Sequence, residues 1–96
     1  MVIEIEVLDE GLYSECVERV PVVVEKYGGR YLARGDRVAP LAGDWNPERI
    51  VIIEFEDEDR CRACFRSKEY GEIAHLRESS TRRRSIIVEG LTTPLN

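Results

Sequence analysis

The fold of this chain is decided by one stretch, Arg49-Ile50-Val51-Ile52-Ile53-Glu54-Phe55, which is apolar at nearly every position. A strand with one face in water alternates between apolar and polar side chains, so this continuous run predicts a central strand that is covered on both faces. Other parts of the chain must therefore supply a cover for each side of this strand.

On either side of the central strand, the spacing of the apolar residues is typical of strands in some segments and of helices in others. The predicted elements are a strand at 2–8, a helix from 10 to about 26, strands at 30–34 and 49–55, helical segments capped by Asp57 or Asp59 and by Ser67, and a strand at 82–88. Asp9 is placed to cap the first helix. Pro21 lies inside that helix and is predicted to kink or split it, because proline has no backbone N–H.

This order of elements predicts an α+β fold, a ferredoxin-like βαββαβ protomer with a four-stranded antiparallel sheet and its helices on one face. Residues 1–90 are expected to form a single domain, followed by a C-terminal tail at 91–96. The other face of the sheet would then be open, with Ile50, Ile52 and Glu54 on it. Contiguous apolar patches are rare on monomers, so we expect a homodimer that pairs through these sheet faces.

Charge and hydropathy exclude several classes of partner. The net charge of the 96 residues is −5, with 14 basic and 19 acidic side chains interspersed, which disfavours a nucleic-acid binder. The basic triplet Arg82-Arg83-Arg84 has no interleaved aromatic residue and is predicted to be a solvated strand end. No apolar run approaches the ~18 residues of a membrane helix, and the N-terminus lacks a signal-peptide pattern. We therefore expect a cytoplasmic protein that binds neither nucleic acid nor membrane.

The cysteines, Cys16, Cys61 and Cys64, are expected to be structural thiols. The spacing of Cys61 and Cys64 also suits a redox pair, but both lie on the core side of a helix beside Phe65. His75 would complete a zinc set with the cysteines, yet no spacing brings the four residues together, and His75 is predicted to lie at the surface. No metal and no cofactor are expected.

Several segments together resemble a known bacterial family. They are Gly28-Gly29-Arg30-Tyr31-Leu32-Ala33-Arg34-Gly35, Leu41-Ala42-Gly43-Asp44-Trp45, Val51-Ile52-Ile53-Glu54-Phe55, Ser67-Lys68-Glu69-Tyr70, Leu76-Arg77 and Val88-Glu89-Gly90. Over nearly the whole chain they are similar to the domain-of-unknown-function family numbered 1330. The resemblance implies the dimeric α+β barrel superfamily, whose protomers pair through their sheets. That superfamily includes monooxygenases, isomerases, haem enzymes and stress proteins, so the resemblance implies no single activity.

Glu54 is the candidate catalytic residue, because a carboxylate inside an apolar strand needs a partner. The resemblance offers Arg34 and Arg77 as that partner. A pocket that also held Trp45 and Tyr70 would combine an apolar wall, an anion clamp and a general base, and would suit a small carboxylate or aromatic compound. A cofactor-independent enzyme is one form of this function. The alternative is a non-catalytic structural or stress-related dimer, in which Glu54 only forms an ion pair.

Overall fold

The computed structural model describes residues 1–35 and 37–91 of the chain. Its elements in chain order are β1 (Val2–Val7), α1 (Glu10–Lys26), β2 (Arg30–Gly35), β3 (Arg49–Glu54), α2 (Glu58–Arg66), α3 (Lys68–Ser80) and β4 (Thr81–Ile86). The sheet has the order β2-β3-β1-β4, and all neighbouring strands are antiparallel. This confirms the predicted α+β, ferredoxin-like architecture. Of the predicted C-terminal tail, only Leu91 lies within the described residues.

Side-chain caps begin all three helices, as their sequences predict. Asp9, Asp57 and Ser67 each accept a hydrogen bond from a backbone N–H three residues further on. α1 is a single helix that continues through Pro21, so the predicted split does not occur. Pro21 nevertheless offers no N–H to the carbonyl of Val17, four residues earlier. Within the described part of the chain, no helix is long and apolar enough to cross a membrane.

The helices pack against one face of the sheet, which we call the helix face. Ile3 and Ile5 of β1 and Val51 and Ile53 of β3 point to this side and are all buried. The core also contains Cys16, Val20, Val23, Val24, Cys64, Tyr70, Ile73 and Leu76. The opposite side, the open face, carries Ile50, Ile52 and Glu54, as predicted, because side chains alternate along a strand. On this face Ile50 and Ile52 are only half-buried, and Glu54 is exposed.

A β-bulge in β2 changes which face its later residues occupy. Tyr31 pairs with Ile53, but the next pair along the ladder is Ala33 with Ile52, which leaves Leu32 as the extra residue. Because paired residues of an antiparallel ladder share a face, Arg34, which pairs with Val51, lies on the helix face together with Tyr31. Without the bulge, strict alternation would place Arg34 on the open face.

The three cysteines are free, buried thiols, as expected. Burial raises the pKa of Cys16 and Cys61, and raises that of Cys64 to about 11. The thiol of Cys61 lies 3.8 Å from the sulfur of Met1, so the side chain of the first residue contacts α2. His75 is exposed, as predicted. No group of three or more His, Cys, Asp or Glu side chains in the described ranges could hold a metal ion.

The first prediction concerns Gly29, where the chain passes from α1 into β2. A Cβ atom at Gly29 would lie 2.5 Å from Cγ1 of Val24 and 2.9 Å from Cε1 of Phe55. Both neighbours are packed in the core, so Gly29→Ala should lower the free energy of unfolding by about 1–3 kcal/mol. The matched control is Gly71→Ala, at an exposed helical site with open space, which should raise it by about 0.5–1 kcal/mol. Urea denaturation that gave the two variants equal stability would contradict this account.

The second prediction concerns Cys61 and Cys64. Replacing both with alanine should lower stability by on the order of 1–3 kcal/mol through lost packing, with no metal released. Because burial raises their pKa values, the wild-type thiols should react with Ellman's reagent at pH 8 only after unfolding. Rapid reaction of the native protein, or stoichiometric zinc in it, would refute this assignment.

Candidate functional site

A small cavity lies between α1 and the helix face of the sheet. It is lined by Ile3, Ile5, Tyr13, Cys16, Val17, Val20, Pro21, Tyr31, Arg34, Val51, Ile53, Phe65 and Arg77. Its volume is about 40 Å³, which is room for roughly three water molecules. Most of the wall is apolar, and the ionisable groups are the phenols of Tyr13 and Tyr31, the thiol of Cys16 and the guanidinium groups of Arg34 and Arg77. None of the described lining residues is Asp, Glu or His.

Arg77 is brought into the core by α3. It follows Tyr70 by seven residues and Ile73 by four, a spacing that places all three on one side of the helix. Its side chain is almost completely buried, with a relative exposure of 7%. Nη1 donates a hydrogen bond of 2.8 Å to the Tyr70 hydroxyl. The guanidinium carbon lies 5.6 Å from the ring centre of Phe65 and 6.0 Å from that of Tyr70.

No carboxylate in the described part of the chain lies within ion-pair distance of Arg77. Burial of a cation costs several kcal/mol even after the protein relaxes. A cation–π contact recovers about 0.5–2 kcal/mol, and one hydrogen bond to a neutral hydroxyl adds about 1 kcal/mol. Arg77 is therefore a largely buried cation that contacts aromatic rings and has no carboxylate partner among the described residues. Within the described residues its guanidinium donates one hydrogen bond, to the Tyr70 hydroxyl, although an arginine carries five N–H donors.

The phenols of the cavity are neutral at physiological pH. Burial raises the pKa of Tyr13 above its ordinary value and raises that of Tyr31 to about 12. The guanidinium of Arg34 lies 5.4 Å from the ring centre of Tyr31, on the side to which the bulge has turned it. The cavity thus contains positive charge and neutral hydrogen-bonding groups, but no negative charge.

A larger groove between α2 and β4 adjoins the small cavity. It is lined by Met1, Glu58, Cys61, Arg62, Phe65, Arg66, Tyr70, Arg77, Arg83, Ser85, Ile86 and Ile87, and its volume is about 570 Å³. Phe65 and Arg77 line both spaces, so they form the boundary between them. Arg83 lies in the groove because it pairs with Ile5 and so shares the helix face.

The structure brings together three of the five predicted site residues. Arg34 and Arg77 both line the small cavity, and Tyr70 binds Arg77 and lines the groove. Phe65 was expected in the packed core, and the sequence did not single out Tyr13, Tyr31 or Arg83 as site residues. A signal for Arg83 was present in the sequence: it stands between Arg82 and Arg84 in a predicted strand, so its side chain must lie on the opposite face from these two.

The other two predicted site residues lie on the open face, which corrects the expectation of one shared pocket. Glu54 accepts a hydrogen bond of 2.8 Å from Arg30, its ladder partner, rather than from Arg34 or Arg77. Trp45 donates from Nε1 to Glu4 at 2.8 Å, and Glu4 lies on the open face as well. Hydrogen bonds from Trp45 and from an arginine of β4 lower the pKa of Glu4. The physical reason for the separation is the alternation of side chains along β3.

Comparison with solved structures gives the same fold. The chain superimposes on the crystal structure of RPA0582, a protein of unknown function from Rhodopseudomonas palustris, with a TM-score of 0.79 and 17% identity. The match covers 96% of this chain and 81% of that one. The structure of methylated RPA0582 matches with a TM-score of 0.69 and 15% identity, over 94% of this chain and 81% of that one.

Comparison by sequence identifies the family but no activity. A comparison with curated proteins finds no match. The model of one family, described as a domain of unknown function (DUF1330), matches residues 1–91, which is nearly the full length. This match agrees with the resemblance seen in the sequence motifs. The chain therefore belongs to the DUF1330 family.

Proposed function

We propose that this protein binds a small carboxylate with an apolar or aromatic body, between the helices and the sheet. The observation that carries the proposal is Arg77, a buried cation that lacks a carboxylate partner among the described residues. A ligand carboxylate would supply the missing charge and form charge-assisted hydrogen bonds in a site of low dielectric. Arg34, which also lines the small cavity, would add a second cation.

The sizes of the two spaces indicate how such a ligand would lie. The small cavity, at about 40 Å³, has room for little more than a carboxylate group. The groove, at about 570 Å³, is within the usual range for a small-molecule site of roughly 300–1,000 Å³. Since Arg77 borders both, a carboxylate bound to it would leave the body of the ligand in the groove, against the ring of Phe65.

The composition of the site favours binding over acid–base catalysis. The described lining of the small cavity contains no Asp, Glu or His, and the glutamate of the groove, Glu58, accepts a hydrogen bond of 2.7 Å from Arg62. Glu54 could act as a general base only toward a ligand on the open face. A cofactor-independent enzyme would therefore need a substrate that reacts without a carboxylate or imidazole from this cavity.

We further propose that the open face pairs with the open face of a second copy. No helix among the described residues covers this side, and Ile50 and Ile52 are only half-buried on it. Its charges balance in cross-strand pairs, namely Glu4 with Arg84, Glu6 with Arg82 and Glu54 with Arg30. A face that is neutral in this way does not repel a copy of itself, and Ile50 and Ile52 would pack at the centre.

The third prediction tests Arg77. Benzoate and phenylacetate should raise the melting temperature of the wild-type protein, whereas the uncharged benzamide should not. At one hundred times the dissociation constant a ligand adds about 2.7 kcal/mol, a shift on the order of 10 °C for a domain of this size. The double variant Arg77→Met/Tyr70→Phe removes the buried donor and its acceptor together. It should lose the carboxylate shift yet keep its stability without ligand to within about 1 kcal/mol.

The matched control for this experiment is Arg60→Met. Arg60 lines neither space and pairs with Glu56 at 3.0 Å on the exposed start of α2, so its loss should leave the ligand shift unchanged. A wild-type melting temperature that responds to no carboxylate would reject the proposal. So would a double variant that loses roughly 3–5 kcal/mol without ligand, since that would make Arg77 a structural group.

The fourth prediction tests the dimer. Wild-type protein should sediment at twice its chain mass of 11.0 kDa, and Ile52→Asp should sediment as a folded monomer, because it places a charge at the centre of the interface. Ile52→Thr, a milder change, should weaken the dimer without unfolding the chain. Val22→Glu, at an exposed site on α1, is the control and should remain dimeric. A wild-type monomer, or an Ile52→Asp protein that still sediments as a dimer, would disprove the pairing.

A further inference from the structure

The groove contains more arginine side chains than a single ligand carboxylate would neutralise. Four arginines line it, and Arg62 is paired with Glu58. For Arg66, Arg77 and Arg83, the described residues provide no carboxylate within ion-pair distance. Surface arginines often lack a partner, but Arg77 is buried and Arg83 is half-buried, and charged side chains rarely leave water without a counterion.

Arg83 differs from both of its neighbours in β4. Arg82 and Arg84 lie on the open face and pair with Glu6 and Glu4 of β1. Arg83 points to the helix face, where its cross-strand neighbour is the apolar Ile5. The sheet therefore neutralises two arginines of the triplet and leaves the third unneutralised inside the groove.

The buried Arg77 and the half-buried Arg83 both line the groove but come from different elements of the fold. Arg77 comes from α3 and borders the small cavity, whereas Arg83 comes from β4 and lines only the groove. Both act electrostatically on the thiol of Cys16, which lines the small cavity. The groove also offers the ring of Phe65 and the side chain of Ile87 as apolar contacts.

We infer that the ligand is a small dicarboxylate whose two anionic groups are separated by an apolar spacer. One carboxylate binds Arg77 and Arg34 at the small cavity, and the other binds Arg83 in the groove, with Arg66 at the rim. The spacer lies against Phe65. This inference rests on the proposed function, because it adds a second anionic group to the same ligand site.

The test compares matched ligands that differ by one charge. Dissociation constants are measured by calorimetry for terephthalate against 4-methylbenzoate, and for 1,4-phenylenediacetate against 4-methylphenylacetate. In wild-type protein at least one dicarboxylate should bind about tenfold more tightly than the matched monocarboxylate. One additional charge-assisted hydrogen bond is expected to lower the dissociation constant by at least about this factor. Arg83→Met should remove this advantage and leave the monocarboxylate affinity unchanged, which also shows that the variant is folded. Arg83→Gln provides a second variant of the same site, and Arg60→Met is the control.

Different binding results would reject the dicarboxylate ligand and the proposed function. If monocarboxylates bind and neither dicarboxylate binds more tightly, the inference is overturned and the proposed function stands. If the dicarboxylate advantage survives in Arg83→Met and Arg83→Gln, Arg83 is not the second anion site and the inference is overturned as well. If none of the four compounds binds to wild-type protein, the proposed function and the inference are both rejected.

Discussion

The helices cover only one face of the sheet, and this constraint determines the surroundings of every charged side chain on the strands. Because side chains alternate, adjacent residues of one strand enter different environments. On β1, Ile3 enters the core while Glu4 faces outward, and on β4 the same rule separates Arg83 from Arg82. The open face balances its charges by cross-strand pairing, because both partners of each pair lie on the same face of the sheet. The helix face has apolar residues as neighbours, so a cation placed there has to find its counterion elsewhere.

The fold could be predicted from the sequence because its signals are local. The cap residues Asp9 and Ser67 have the predicted role, and the apolar run of β3 forms a central strand. Strand ends differ from the predicted ones by a residue or two, as for the last strand, which was expected to end at Val88 and ends at Ile86. Such ends depend on which backbone groups find partners in the sheet, and local periodicity does not specify this.

The site was harder to predict, because its composition depends on register. Arg34 reaches the helix face only through the extra residue at Leu32, and a bulge leaves no clear mark in a single sequence. Glu54 was expected to meet Arg34 or Arg77, yet its partner is Arg30, the residue directly across the ladder. The family resemblance indicated which residues could belong to a site. It did not indicate on which face of the sheet each of them lies. The misplaced residues, Glu54 and Trp45, therefore lie on the opposite side of the sheet from Arg34 and Arg77.

Pro21 has a consequence for how the small cavity could accept anything larger than a carboxylate. It lines that cavity together with Val17, whose carbonyl it cannot supply with the usual helical hydrogen bond. A helix that lacks one backbone bond bends there at a lower cost than elsewhere along its length. The turn of α1 between these two residues therefore has one backbone hydrogen bond fewer than a regular helical turn. A bend of α1 at this turn is the movement that would enlarge the small cavity.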